Sequence, residues 1–349
     1  MTKRDVDRLV QEAGVCEAGV TCRVAAVLFT YRCSIACKHC LFGCAAERPD
    51  LVMTPRQCLD ALVMLHQTGR VVHVAGGEPM LYWPTLRESL RLAAERDAAP
   101  HFIETNCSFA VSDDVVTERL QFMAEHGVRG LYASADPFHQ VSVPAERFLR
   151  VRRLAQEIFG ERNFWGTTQS DQEILSFENV CRDEARFRDY IRSHPPVMVG
   201  TAQAELARYL DQYCPDDPTL PSAGWRGATN NTTCRGQFAA DTLWELHIDP
   251  YGNIQTNCGV ILGHTAETSP ADLLAAGPDR ANRFVQVLAE SGPLGLARLA
   301  QQEYGFVLPA RVTQACELCY VVRRFLRGHH PDVFGPAEVY ATPCREHGE

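Results

Sequence analysis

Tyr31-Arg-Cys33-Ser-Ile-Ala-Cys37-Lys-His-Cys40 is the stretch on which the reading of this chain turns. It follows directly on the apolar run Ala25–Thr30, which reads as a strand. Three thiols in a loop at a strand's carboxyl end match three corners of an iron–sulfur cubane, whose full set is four cysteines. Three ligands leave one metal ion open to an exogenous group, as in catalytic metal centres generally. The same residues with His39 also make a zinc set, although the neighbouring Lys38 and the strand-end placement speak against it.

Around that loop the composition narrows the function. The chain has 349 residues, 34 basic against 43 acidic, a net charge of −9 and 15 cysteines. The basic residues form no dense run, which argues against nucleic acid as a partner. An apolar content of 46% is too high for disorder, and no window approaches a membrane-spanning helix, so no membrane partner is expected. The amino terminus, Met1-Thr-Lys-Arg-Asp-Val-Asp, has no apolar signal region, and a cytoplasmic location is expected. In that reducing compartment, a cysteine share below the ~8–10% of disulfide scaffolds points to metal or catalysis.

From Val24 onward, apolar strands alternate with amphipathic helices. The strands are expected at Ala25–Thr30, Val71–Ala75, His101–Asn106, Gly130–Ala135, Asn163–Thr168 and Val197–Ala202. Thr54 before Pro55 opens one helix, closed by Gly69; Ser112 opens a second running to Gly127; Pro144 opens a third ending at Gly160. Six βα repeats fall short of the ~250 residues of a closed eight-fold barrel. The expected fold class is α/β, a partial (β/α)6 barrel over residues 24–213 behind an N-terminal extension, 1–23. Residues 214–233 are rich in Pro, Gly and Asn and read as a linker. Beyond them, Leu243–Asp249 and Ile254–Asn257 flank Pro250-Tyr-Gly-Asn253, a hairpin signal inside a small α+β domain, 234–349.

The later strand ends carry a second pattern. Gly76-Gly-Glu-Pro79 ends the second strand, Thr105-Asn106 the third and Ser134-Ala-Asp136 the fourth. All lie on the face where a βα fold places its active site. Glycines there allow close backbone approach, and Glu and Asp accept from amino and hydroxyl donors. With the cysteine triad, in this order, these residues resemble the radical S-adenosylmethionine (radical SAM) superfamily over about residues 24–210. The resemblance implies a 4Fe–4S cluster on Cys33, Cys37 and Cys40 with S-adenosylmethionine at its open iron. It places the amino group of that cofactor at Gly76, Gly77, Glu78 and Pro79, with Thr105 and Asn106 nearby and the ribose at Ser134 and Asp136. It also implies the chemistry: one electron, from a donor such as flavodoxin or ferredoxin, cleaves the cofactor. A 5′-deoxyadenosyl radical then takes a hydrogen atom from substrate. Two positions depart from the family. His39 stands where an aromatic residue usually precedes the third cysteine, and Cys107 follows Asn106 where glycine often stands.

Cys234, Cys258, Cys316 and Cys319 resemble the ligand set of the twitch type of auxiliary domain, related to the larger SPASM extension, which implies a second 4Fe–4S cluster. The family's glycine stands four residues clear of its cysteine, whereas five residues separate Gly252 from Cys258. A four-cysteine zinc site is the structural alternative. Cys58 shares an apolar stripe with Leu62 and Val63 and reads as core, and Cys44 reads as structural. Cys16, Cys22 and Cys181 carry no signal, while Cys214 and Cys344 sit in loops able to approach the auxiliary set. Cys107 is either packing or a hydrogen-atom donor to a product radical. His139 is either a loop anchor or a proton carrier near neutrality. Gln169 and Asp171, after the fifth strand, are expected at the substrate pocket.

The expected function is that of a radical SAM enzyme with one auxiliary cluster. Its substrate is expected to be a small polar molecule, a sugar, cyclitol or nucleoside-type intermediate of specialised metabolism. Oxidation, epimerisation or sulfur insertion follow from such an abstraction. The small-molecule preference rests on the short stretch before the first strand, which holds no peptide-recognition domain. Maturation of a ribosomally made precursor peptide is the alternative, and a non-catalytic iron–sulfur or zinc scaffold is the alternative of another class.

Overall fold

The computed structural model describes residues 23–168, 170–221 and 233–341. Most of the N-terminal extension (with Cys16 and Cys22), Gln169, most of the expected linker and Cys344 lie outside the described residues. The chain divides into two compact units, Met1–Ile35 with Arg48–Phe187 and Ile248–Pro250, and Ala36–Glu47 with Arg188–His247 and Tyr251–Glu349. The division therefore runs through the cysteine loop, between Ile35 and Ala36. No helix among the described residues is long and apolar enough to cross a membrane.

The first unit is built on five parallel strands, β1 (Val24–Leu28), β2 (Val71–Ala75), β3 (Phe102–Thr105), β4 (Gly130–Ala133) and β5 (Phe164–Gly166). Their order is β5-β4-β3-β2-β1, with Val24 to Leu28 in register against Val71 to Ala75. The crossovers hold α1 (Pro55–His66), α2 (Trp83–Ala94), α3 (Asp113–Glu125) and α4 (Ala145–Phe159), and α5 (Asp171–Cys181) follows β5. Their starts are set locally. Thr54 accepts from Gln57 N while the Gln57 side chain reaches back to Thr54 N, a reciprocal cap ahead of Pro55. Ser112 caps α3 by accepting from Val115 N alone.

Strand alternation then sorts the side chains. Val74, Ile103, Leu131 and Phe164 align on one face, where Phe164 meets Phe148 of α4. His73, Phe102, Glu104, Tyr132 and Trp165 occupy the other. There His73 stacks on Phe102, and Glu104 stands beside Tyr132 in register, 3.4 Å from His73 Nε2.

The expected sixth strand, Val197–Ala202, does not form. Gly200 takes φ +59 against the cysteine loop, where a Cβ would lie 2.2 Å from the Cys40 carbonyl oxygen. Thr201 N donates to that same oxygen at 2.9 Å, and the chain turns into a short helix, Thr201–Leu206. The parallel sheet thus has five strands among the described residues, one fewer than the six-unit reading.

In the second unit, β6 (Glu245–Ile248), β7 (Asn253–Thr256) and β8 (Ile261–His264) lie side by side, β7 and β8 antiparallel. Gly252, at φ +84, makes the expected turn. The two longest helices that follow are α6 (Arg283–Tyr304), which breaks its helical geometry at Gly292 before Pro293, and α7 (Ala315–Leu326), packed along it.

Beyond β2 the backbone continues against the end of β1. Gly77 N donates to Thr30 O at 2.7 Å and Glu78 N to Arg32 O at 3.1 Å. A Cβ on Gly77 would sit 1.9 Å from Arg32 O, and one on Gly76, at φ +130, 2.7 Å from Thr30 O. The Glu78 carboxylate ties this end to β3, accepting from Asn106 N at 2.8 Å, Thr105 Oγ1 at 3.0 Å and Met80 N at 3.0 Å. Burial pushes its pKa up to about 7, against the pull of those donors and of Arg119.

Two outcomes are expected. Gly77→Ala lowers the urea midpoint far more than Gly69→Ala, whose Cβ meets nothing within 4 Å and whose only cost is the ~1–2 kcal/mol of left-handed backbone. Because the folded pKa of Glu78 lies above its ordinary 4.5, its contribution is full below that value and fades as pH rises through about 7. Urea titrations from pH 4.5 to 7.5 therefore show stability falling by up to ~3 kcal/mol in wild type. Glu78→Gln removes that slope and costs ~1–3 kcal/mol at the acid end, since its amide nitrogen faces a backbone N–H.

Candidate functional site

Cys33 is buried just past β1, at the point where β3 reaches it. Asn106 Nδ2 donates to Cys33 Sγ at 3.4 Å and to Ser34 Oγ at 3.2 Å, while Asn106 Oδ1 accepts from Ser108 N. The strand-end residues Gly76 to Glu78, Thr105 and Asn106 are thereby brought to the first cysteine of the triad. Cys37 and Cys40 lie in the segment Ala36–Glu47, assigned to the second unit. In that loop Cys40 N donates to Cys37 O at 3.2 Å, and Cys44 N to Cys40 Sγ at 3.3 Å. N–H donation to the Cys33 sulfur, and separately to the Cys40 sulfur, favours the thiolate at each, the form that ligates metal.

At the end of β4, Ser134 N donates to Thr105 O at 2.9 Å. Asp136 caps the single turn Pro137–Gln140, accepting from Phe138 N and His139 N, and lies 2.9 Å from His139 Nδ1. Thus Asp136 and His139 form one hydrogen-bonded pair on one turn. Pro79 starts a one-turn helix capped by Glu78. Cys107 is fully buried at φ +64, its N–H donating to Thr105 Oγ1 at 3.0 Å. Burial, and then the Glu78 carboxylate, hold its thiol well above the ordinary range, so the sulfur keeps its proton.

Other cysteines separate cleanly. Cys58 is core, its thiol pushed up to about 12 by burial, as its helix stripe implies. The half-buried Cys181 donates to Pro137 O at 3.0 Å. Beyond β5, which ends at Gly166, Asp171 opens α5 as an exposed ion-pair partner of Arg152.

In the second unit, Cys234, Cys258, Cys316 and Cys319 line one cavity with Val199, Phe238, Leu288, Pro293 and Arg323. Burial raises the Cys234 thiol well above its ordinary range, and Cys319, Cys316 and Cys258 raise it further. Cys316 and Cys319 are one turn apart at the start of α7, and Cys258 follows the β7 strand with Thr256 Oγ1 3.0 Å from its sulfur. Cys214 is exposed and is not among the lining residues, which removes it from this set.

Two groups escaped the sequence reading. Arg323 enters the cysteine cavity from α7, at helical spacing i+4 from Cys319 and i+7 from Cys316, a signal present in the sequence. His73, Glu104 and Tyr132 share one sheet face, a relation visible only once the register of β2, β3 and β4 is known.

Residues 27–158 match the model of the radical SAM superfamily. No curated protein sequence matches the chain. Among solved structures, BtrN in complex with AdoMet and 2-DOIA is 14% identical and covers 78% of this chain and 89% of its own, with a TM-score of 0.43. Streptococcus suis SuiB bound to precursor peptide SuiA is also 14% identical, covering 78% and 67%, with a TM-score of 0.35. The match over residues 27–158 holds the cysteine triad and the strand ends that meet it, so this part of the chain is similar to the radical SAM superfamily.

Proposed function

We propose that the chain is an enzyme that cleaves S-adenosylmethionine at a 4Fe–4S cluster on Cys33, Cys37 and Cys40 and takes a hydrogen atom from a small polar substrate. The superfamily match over residues 27–158 supports S-adenosylmethionine and a cluster as cofactors. The observation that carries the reading is the junction at Cys33, where Asn106 donates to the sulfur while Gly77 lies against the Thr30–Arg32 backbone. When bound, the cluster and cofactor supply one-electron cleavage and the 5′-deoxyadenosyl radical.

The chain's own residues bind and orient. Asn106 Nδ2 and Cys44 N stabilise thiolates on Cys33 and Cys40. Gly76, Gly77 and Pro79 offer a bare backbone edge to the amino group, and Glu78 and Thr105 hold that edge from within. Ser134 and Asp136, at the end of β4, are assigned to the ribose. On the sheet face away from α4, His73, Glu104 and Tyr132 supply hydroxyl, carboxylate and imidazole groups suited to a sugar, cyclitol or nucleoside. Cys107, protonated and buried, is assigned as hydrogen-atom donor to the product radical, and His139, held by Asp136, as proton carrier. Cys234, Cys258, Cys316 and Cys319 are assigned to a second 4Fe–4S cluster, and a flavodoxin or ferredoxin to electron supply.

Anaerobic reconstitution of the full chain with iron and sulfide should give about eight irons per chain, and reduction with S-adenosylmethionine should release 5′-deoxyadenosine. Cys33→Ala, Cys37→Ala or Cys40→Ala should abolish that release. No 5′-deoxyadenosine from fully loaded, reduced wild type would reject the enzyme reading. The double variant Cys316→Ala, Cys319→Ala should lose about half the iron and still release 5′-deoxyadenosine, as measured by iron assay and chromatography.

A further inference from the structure

Arg323 is fully buried, and among the described residues no carboxylate pairs with it. Its guanidinium is nevertheless carefully held. Nη1 donates to Gly259 O at 3.0 Å and to the Tyr340 hydroxyl at 3.2 Å, and Nη2 donates to Cys258 O at 2.9 Å. Tyr320 and Tyr340 present their rings to it, at 6.0 and 5.8 Å from the centroids. Every one of these partners is neutral, and Nε has no hydrogen-bond partner. A buried, uncompensated guanidinium costs several kcal/mol, so the fold implies a negative charge close by. The cavity that Arg323 lines holds four cysteines and, in its lining, no other ionisable group.

We propose that Arg323 is the built-in counter-charge of the auxiliary centre: it balances the anionic metal–thiolate cluster at Cys234, Cys258, Cys316 and Cys319 and raises its reduction potential. This rests on the assignment of that cluster. A cubane held by four thiolates is anionic, and one-electron reduction adds a further negative charge. A fixed cation in a low-dielectric cavity favours the reduced form, and charge and hydrogen bonding around the sulfurs are what set such potentials. Arg323 is thus a positioning residue, since it also holds the Cys258 carbonyl in place.

The test uses the full chain, metal-free and reconstituted, as wild type, Arg323→Met and Arg323→Lys. In the metal-free chain Arg323→Met is expected to raise the melting temperature, because it removes an unpaired buried charge. In the loaded chain it is expected to shift the midpoint of the auxiliary cluster to lower potential in a reductive titration followed by electron paramagnetic resonance. Arg323→Lys should keep most of the wild-type potential. Loss of the cluster in Arg323→Met but not in Arg323→Lys supports the role equally. Full loading with an unmoved potential in Arg323→Met, or cluster loss in both variants, overturns the inference alone. About four irons per wild-type chain, or zinc at these cysteines, overturns the cluster assignment and the inference with it.

Discussion

The absence of a side chain at Gly77 is the constraint on which the first unit depends. With a Cβ position only 1.9 Å from Arg32 O, the end of β2 can lie against the end of β1 only as bare backbone. That contact delivers Gly77 N to Thr30 O and Glu78 N to Arg32 O, extending the parallel pairing past both strands into the residues that precede Cys33. Glu78 then carries the same order to β3, because its carboxylate takes the Asn106 and Met80 amides and the Thr105 hydroxyl at once. Asn106, fixed by that contact, reaches the Cys33 sulfur. One steric condition is therefore passed through hydrogen bonds to the Cys33 sulfur.

Glu78 shows how a motif residue can serve the fold and the site together. A carboxylate that is 1% exposed and bound by three kinds of donor is a strut before it is a contact for any ligand. Burial raises its pKa while its donors oppose the rise, and the balance near 7 leaves its charge responsive to pH. The second unit solves a related problem with the opposite sign. There a permanent cation is buried among thiols that only deprotonation or a bound metal would make negative.

Much of this was legible in the chain because the decisive signals are local. The caps at Thr54 and Ser112, and the four strands β1 to β4 that end at the motif residues, are all set within a few residues of themselves. The failures share a cause: each was decided by a distant partner. Val197–Val199 is apolar enough for a strand, yet Gly200 and Thr201 are captured by the Cys40 carbonyl and the chain turns. Arg323 was missed for the same reason, although its helical spacing from Cys316 and Cys319 stands in the sequence. A charged residue on an amphipathic helix is ordinarily solvated, and only tertiary packing places this one against four cysteines.

Cys107 is the position where local rule and structure disagree most usefully. Its backbone stands at φ +64, a conformation natural to glycine that costs a side-chain-bearing residue about 1–2 kcal/mol. The conformation is enforced from both sides, by the Cys107 N–H on Thr105 Oγ1 and by Ala110 N on the Cys107 carbonyl. Glycine would fit there without strain, so the thiol is retained against a backbone cost. Burial beside Glu78 keeps it protonated, which makes it a poor metal ligand and a poor nucleophile. An intact S–H bond, one residue beyond the asparagine that touches the Cys33 sulfur, is the chemical property this environment preserves, and it is the property that transfer of a hydrogen atom requires.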